Sequence, residues 1–197
     1  MSITASLDLQ NEPDTISLGK GINMTFLRGS PYLTRTVITG EETLKVPLHW
    51  HLTHSEIHRV TKGRIKYTIG EPGARLPGSN KGSQTHTRIL GPDDGELVVP
   101  PGTIHGLETF PGEESEVYES TDPMDEEKEV FFRNFVAAGG VNASPFALFQ
   151  TFYWGDGYPV TPGGRRIEKF ILTCFGYYLA PILGYKLKYD ISKLKAT

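Results

Sequence analysis

Up to about residue 123 the apolar residues fall in short runs, and within these runs they tend to alternate with polar ones. Ile22 to Arg28 and Tyr32 to Thr39 are rich in β-branched and aromatic residues, with Gly29-Ser30-Pro31 between them. Runs of this kind, bounded by Gly, Pro and Ser, predict strands joined by turns. The same pattern predicts strands at Leu44 to His51, Ile57 to Val60, Thr87 to Leu90, Glu96 to Val99, Ile104 to Phe110 and Val117 to Ser120. Gly63 follows the run at Ile57, and Arg64 to Ile69 alternates as its hairpin partner would. The first twenty or so residues are polar and predict a poorly ordered segment or an edge element. Residues 70 to 86 are rich in Gly and Pro and read as a long surface loop, because strand-like sequence resumes beyond them. Many short strands spaced by turns indicate an all-β, antiparallel sandwich or barrel.

Beyond Pro123 the period lengthens. Asp125, Glu126 and Glu127 precede a segment with apolar residues at Phe131, Phe132, Phe135 and Val136, and Gly139-Gly140 follows. Acids in the first turn and Gly at the stop predict a helix. Ser144-Pro145 then predicts the cap of a second, very apolar helix over Phe146 to Trp154. A third helix is expected from near Arg165 to Tyr185, with Gly176 and Pro181 kinking or breaking it. The chain therefore divides into a β-barrel domain, residues 1–124, and a helical C-terminal extension, residues 125–197. The apolar run Phe170 to Tyr185 is shorter than the roughly 20 residues a membrane span needs. It suits a helix docked on the barrel or, given Arg165, Arg166, Lys169, Lys186 and Lys188 at its flanks, a peripheral contact with a membrane surface.

Composition narrows the classes. A formal net charge of -3 without a strongly basic stretch argues against nucleic acid as a partner. Cys174 is the one cysteine, so an intrachain disulfide is excluded, and its apolar neighbours make it a small buried hydrophobe rather than a nucleophile. The first residues lack the basic start and apolar core of a signal peptide, and the expected location is intracellular, in the cytoplasm.

Four of the six histidines lie in one stretch, His49, His51, His54 and His58, beside Glu56. Strand side chains alternate, so His49 and His51 share a face and Trp50 points to the other, toward core or oligomer packing. A loop turns the chain back, and Glu56 opens the next strand, where it can face the same interior. Pro100-Pro101-Gly102 is a rigid turn that aims His105 from a different strand. Three imidazole nitrogens and one carboxylate oxygen, with positions left open, suit a divalent first-row metal. His58 shares the face of Glu56 and is a candidate acid/base or pocket-lining group. His54, in the loop, is expected to be solvated.

These residues carry a resemblance. His49, His51, Glu56 and Gly63 match the first motif of the cupin superfamily, and Pro100, Gly102 and His105 match the second. The resemblance covers roughly residues 35 to 120. It departs at Gly40, which stands further back than the family's glycine, and at Thr109, where an asparagine is expected. Neither is a ligand position. The resemblance implies a jelly-roll barrel, metal ligands His49, His51, Glu56 and His105, and a homodimer.

Such a site predicts a metal-dependent enzyme for a small organic substrate. A dioxygenase-like oxidoreductase with Fe(II) comes first, with Glu56 doubling as a proton acceptor and His58 as a second catalytic candidate. A redox-neutral isomerase, cyclase, dehydratase or decarboxylase with Mn, Zn or Ni uses the same ligands. A non-catalytic binding module is the alternative from another class. A nucleotide-sugar epimerase is disfavoured, because no basic cluster is aimed at a diphosphate. The aromatics Phe146, Phe149, Phe152, Tyr153, Trp154, Tyr177 and Tyr178 suggest a hydrophobic substrate or a lid, or else plain helix packing.

Overall fold

The computed structural model describes residue 9, residues 11–70 and residues 85–190 of the 197-residue chain. Ten antiparallel strands carry the first part: β1 (Thr15–Gly19), β2 (Ile22–Phe26), β3 (Thr34–Ile38), β4 (Lys45–Trp50), β5 (Ser55–Lys62), β6 (Ile65–Gly70), β7 (Thr85–Leu90), β8 (Glu96–Val99), β9 (His105–Thr109) and β10 (Ser115–Asp122). The predicted strands are all present, and the early polar segment supplies an edge strand, β1. The first eight residues and most of the predicted 70–86 loop, residues 71–84, lie outside the described residues.

The strands form two sheets, ordered β1-β2-β3-β10-β5-β8 and β11-β4-β9-β6-β7. β11 (Tyr158–Pro159) is a two-residue strand from the C-terminal part that pairs with β4. The inner orders, β3-β10-β5-β8 and β4-β9-β6-β7, are the interleaved Greek keys of a jelly roll, in which most consecutive strands lie in opposite sheets.

This topology corrects one expectation. β6 is not the hairpin partner of β5: β5 pairs with β10 and β8, whereas β6 pairs with β7 and β9 in the other sheet. Alternation fixes which face is buried but says nothing about the neighbour. At the crossing, Gly63 has φ +67°, and a Cβ there would sit 2.1 Å from the Glu114 carbonyl oxygen, so the chain can change sheets only at a glycine.

Between the sheets, Val60, Ile65, Tyr67, Ile69, Leu90, Leu97, Val99 and Val117 form the main apolar core. Each large aliphatic side chain fully buried there contributes roughly 1.5–3 kcal/mol. The alternation is visible in β3, where Thr34, Thr36 and Ile38 are buried and Arg35 and Val37 less so.

The helical part begins with α1 (Glu127–Ala137) and α2 (Pro145–Trp154). Glu127 and Glu129 occupy the first turn of α1, where the exposed backbone N–H groups favour anions. Val130 is fully buried. The buried Arg133 lies 4.6 Å over the Phe26 ring and bonds both Glu129 and the Pro13 carbonyl, fastening α1 to the barrel. Ser144 precedes α2 as predicted, but its hydroxyl donates to Tyr185 rather than capping the helix.

The last helix departs from expectation. α3 (Arg165–Ile171) runs into a π-helical stretch (Leu172–Leu179) and a final turn, α4 (Ala180–Ile182), without breaking at Gly176. Gly176 serves close packing instead, since a Cβ there would lie 2.3 Å from the Phe149 carbonyl oxygen of α2. Glu168, Leu172, Gly176 and Ala180 are buried, a strict four-residue spacing. A four-residue step overshoots the 3.6-residue α turn, and the wider π turn keeps the stripe against α2.

Candidate metal centre

The site lies between the sheets, with its groups drawn from β4, the loop after it, β5 and β9. His49 and His105 are direct partners across the β4–β9 ladder. The ladder shifts register between Val46 and His49, where Pro47 has no N–H to donate. Glu56 reaches the same space from β5, in the opposite sheet, where it pairs with Val99 and Thr121. The ring centroids of His49 and His105 are 4.3 Å apart, those of His49 and His51 4.9 Å, and those of His51 and His105 5.3 Å. One potential ligand atom from each of His49, His51, Glu56 and His105 lies within 4.8 Å of all the others. The structure thus brings the four predicted ligands together.

Each imidazole is oriented by the backbone. Nδ1–H of His49 donates to the Pro47 carbonyl, that of His51 to the Asp156 carbonyl and that of His105 to the Thr103 carbonyl, all at 2.9 Å. A carbonyl only accepts, so Nδ1 carries the proton and Nε2 of a neutral ring presents a lone pair. Yet His105 Nε2 lies 2.8 Å from Glu56 Oε2, and His51 Nε2 lies 3.0 Å from Glu56 Oε1 without making a hydrogen bond. Ring nitrogens this close to a carboxylate oxygen mark a place where a proton or a metal ion can be shared between them. Burial lowers the affinity of His51 and His49 for a proton, and for His49 the neighbouring His105 and His51 lower it further. Three convergent Nε2 atoms and a carboxylate, each ring anchored through Nδ1, fit a divalent transition metal.

His58 sits on the Glu56 face, as alternation predicts. Its Nε2–H donates to Glu56 Oε2 at 3.2 Å, and the ring is buried against Tyr67. Burial disfavours its charged form, but hydrogen bonding to Glu56 and the charge of Glu119 outweigh this and raise its proton affinity. His58 therefore touches the cluster from behind Glu56 rather than joining the three convergent rings.

His54 is not the solvated loop residue expected. Its side chain is 15% exposed, its ring lies 4.3 Å from that of His51, and its Nδ1 is 3.3 Å from Asp156 Oδ2. Asp156 explains the order of the whole loop. Its carboxylate accepts from the backbone N–H groups of Leu52 and Thr53 and from the Thr53 hydroxyl, while its carbonyl holds His51. Asp156 has φ +55°, which is uncommon outside glycine, so the backbone is strained where it reaches the site.

Two groups near the site come from the C-terminal part with no local signal to mark them. Asp156 is one; the other is Lys128 of α1. Its buried ammonium contacts Glu56 Oε1 and lies 2.6 Å from Glu119 Oε1. Burial alone would discharge Lys128, but Glu119 and Glu56 outweigh it and keep the amine charged. Burial alone would raise the Glu56 carboxyl, but Lys128, His51 and His105 outweigh it and hold it well below the usual carboxylate range. The Phe132 ring lies 5.5 Å from Lys128 Nζ.

Trp50 faces away from the site, as predicted, and is packed rather than exposed. It stacks on Tyr158 at 4.4 Å and donates Nε1–H to the buried Glu168 of α3 at 2.8 Å. The C-terminal aromatics pack among themselves: Phe149 meets Phe175 at 5.9 Å, and Tyr153 meets Tyr177 at 5.2 Å.

No protein-family description matches the chain. A protein of Arthrobotrys oligospora named an oxidoreductase is 26% identical over 153 residues, 72% of this chain and 53% of its own length. The chain thus spans about half the length of the curated relative it matches. Among solved structures, KdgF from a Halomonas species is 20% identical, with a TM-score of 0.41 over 64% of this chain and 99% of its own. The Drosophila melanogaster CENP-C cupin domain is 14% identical, with a TM-score of 0.39 over 54% of this chain and 74% of its own. CapF from Staphylococcus aureus is 14% identical, with a TM-score of 0.43 over 56% of this chain and 29% of its own. The strand order, rather than these scores, fixes the fold. With interleaved Greek keys and a His/Glu cluster assembled from both sequence motifs, this chain has a cupin-like jelly-roll fold.

Proposed function

We propose that the protein is a metal-dependent oxidoreductase, dioxygenase-like and using Fe(II), that acts on a small hydrophobic organic molecule. The observation that carries this reading is the set of three Nδ1-anchored imidazoles whose Nε2 atoms face Glu56 inside the barrel. The name of the Arthrobotrys oligospora relative supports the oxidative class. When bound, Fe(II) supplies Lewis acidity, open coordination positions and a redox couple.

The residues of the chain do the rest. His49, His51, His105 and Glu56 would hold the ion. Lys128 and His58 bond Glu56 from the side and leave its carboxylate little freedom to rotate. Lys128 also places a fixed positive charge beside the site, where an enol, phenol or carboxylate of a substrate would be held. Phe132 adds an aromatic wall next to that charge, which supports an apolar substrate body.

Anaerobic loading with Fe(II), followed by oxygen-uptake measurements with a panel of phenols, enols and β-dicarbonyl compounds, tests the reading. Substrate-dependent oxygen consumption that disappears in His51→Ala is the expected result. Turnover of the panel at unchanged redox level, with no oxygen consumed, would assign the site to redox-neutral Lewis-acid chemistry instead.

A further inference from the structure

The last helix carries apolar residues on two opposite sides. One stripe, Leu172, Gly176 and Ala180 with the hydrogen-bonded Glu168, is buried against the protein. Two residues along, Phe170, Cys174, Tyr178 and Ile182 form a second stripe with the same four-residue spacing. Two residues are roughly half a turn at 3.6 residues per turn, so this second stripe points away from the protein. Phe170 is 62%, Tyr178 60% and Ile182 78% exposed, with Leu183 and Ile167 beside them at 51% and 44%. Cys174, expected to be buried, is half-buried. A helix apolar on both faces needs a second apolar environment.

Charge identifies that environment. Between residues 165 and 190 stand Arg165, Arg166, Lys169, Lys186 and Lys188 against two acids, Glu168 and Asp190, in a chain whose net charge is -3. Glu168 is spent internally on the Trp50 Nε1–H and the Thr161 N–H. Among the described residues, none of Arg165, Arg166 and Lys169 forms an ion pair. These three cations line a cleft of about 310 Å³ floored by Trp50 and closed by Pro101 and Gly102. Arg165 lies 4.8 Å and Lys169 5.5 Å from the Trp50 ring. The cleft is of a size for a lipid headgroup phosphate, and the exposed stripe starts from the same turn of helix. No helix among the described residues is long and apolar enough to cross a membrane, so the contact would be peripheral.

We infer that this face docks on a bilayer surface carrying anionic phospholipids, with Phe170, Tyr178 and Ile182 entering the headgroup boundary and the cleft cations engaging phosphate. Apolar insertion and attraction to anionic lipid add in such contacts. The inference does not depend on the metal reading, because none of its apolar or cationic residues supplies a ligand atom to the cluster.

Co-sedimentation of the full chain with phosphatidylcholine vesicles, with and without phosphatidylserine, tests it. Binding to the phosphatidylserine vesicles is expected, weakening as salt is raised. Arg166→Gln with Lys169→Gln should lower the partition coefficient roughly 25-fold, about fivefold for each cation removed near an anionic surface. Phe170→Ser with Ile182→Ser should abolish binding while leaving the circular dichroism unchanged. Absence of binding at low salt, or equal binding with and without phosphatidylserine, would overturn the inference. So would a dimer in sedimentation velocity that the Phe170→Ser, Ile182→Ser variant dissociates, since a second copy would then cover the face.

Discussion

The barrel and the C-terminal helix handle the same materials in opposite ways. On the barrel surface, charges meet across neighbouring strands and turns: Arg35 with Glu116, Lys66 with Glu108 and Arg64 with Glu113. Most of its buried apolar residues close on one core between the sheets, and its exposed ones, such as Ile89 and Val98, stand singly on different strands. The C-terminal helix leaves three cations without carboxylate partners among the described residues, and one apolar stripe facing out. Sheet geometry explains part of the contrast, because alternation sends every second side chain inward and a jelly roll has only one inside. The helix was free to keep a second face, and it did. The contrast is not a separation, however. Lys128, Asp156 and Glu168 run from the helical part into the barrel, and each meets either the His/Glu cluster or the strand that carries it.

Breaking two of these links, and disturbing the packing of the last helix on α2, should reveal how far the barrel depends on its neighbour. Lys128→Met should have the largest effect. It leaves Glu56 and Glu119 buried without their shared cation, and removing one partner of a buried ion pair costs about 3–5 kcal/mol. A divalent metal gives Glu56 a new counter-charge, so thermal melts of the variant should recover much of the loss when Mn(II) or Fe(II) is added. If the melting temperature of the variant ignores metal, Lys128 and the ion do not share Glu56.

Asp156→Asn should cost about 2 kcal/mol at neutral pH, the scale of hydrogen bonds to a charged group. The sign of its pH dependence follows from the carboxyl. Burial would raise its pKa, but the hydrogen bonds from His54 and Thr53 outweigh burial and bring it to about 2. An acid depressed on folding stabilises the protein fully above its unfolded pKa, roughly 3.9, and loses that contribution as pH falls through the folded one. Urea unfolding should therefore separate wild type and variant at pH 6 and bring them together toward pH about 2.

Gly176→Ala should cost about 1–3 kcal/mol, because the added methyl group meets backbone atoms of Phe149 and Gln150 and the helix must move away from α2 to admit it. Near-ultraviolet circular dichroism should register that movement at Phe149 and Phe175, whose rings pack across the contact, while the Fe(II) or Mn(II) affinity of the barrel stays unchanged.

The four convergent groups were legible in the sequence because each rule that places them is local. Alternation puts His49 and His51 on one face, a short loop returns Glu56, and a Pro-Pro-Gly turn positions His105. The strands were legible for the same reason. What sequence could not supply is partnership over distance. The alternation of Arg64 to Ile69 suits any neighbouring strand, so it does not distinguish a hairpin from the crossing to the second sheet at Gly63. Lys128 stands in a run of acids that looks like a solvated helix face, and nothing nearby marks it as buried. His54 was expected to be solvated because its partner, Asp156, lies a hundred residues further on in a loop between α2 and β11. Gly176 looked like a breaker because a missing side chain reads alike whether it frees the backbone or admits a neighbouring helix.

The central claim is that His49, His51, Glu56 and His105 hold a divalent transition metal. Elemental analysis of the purified full chain, with titration of the metal-stripped protein by Fe(II) and Mn(II), tests it most directly. One ion bound per chain, lost in His51→Ala and in Glu56→Ala while both variants keep the wild-type circular dichroism, is the predicted result. A wild-type protein that binds neither ion, or variants that bind as tightly as wild type, would contradict it.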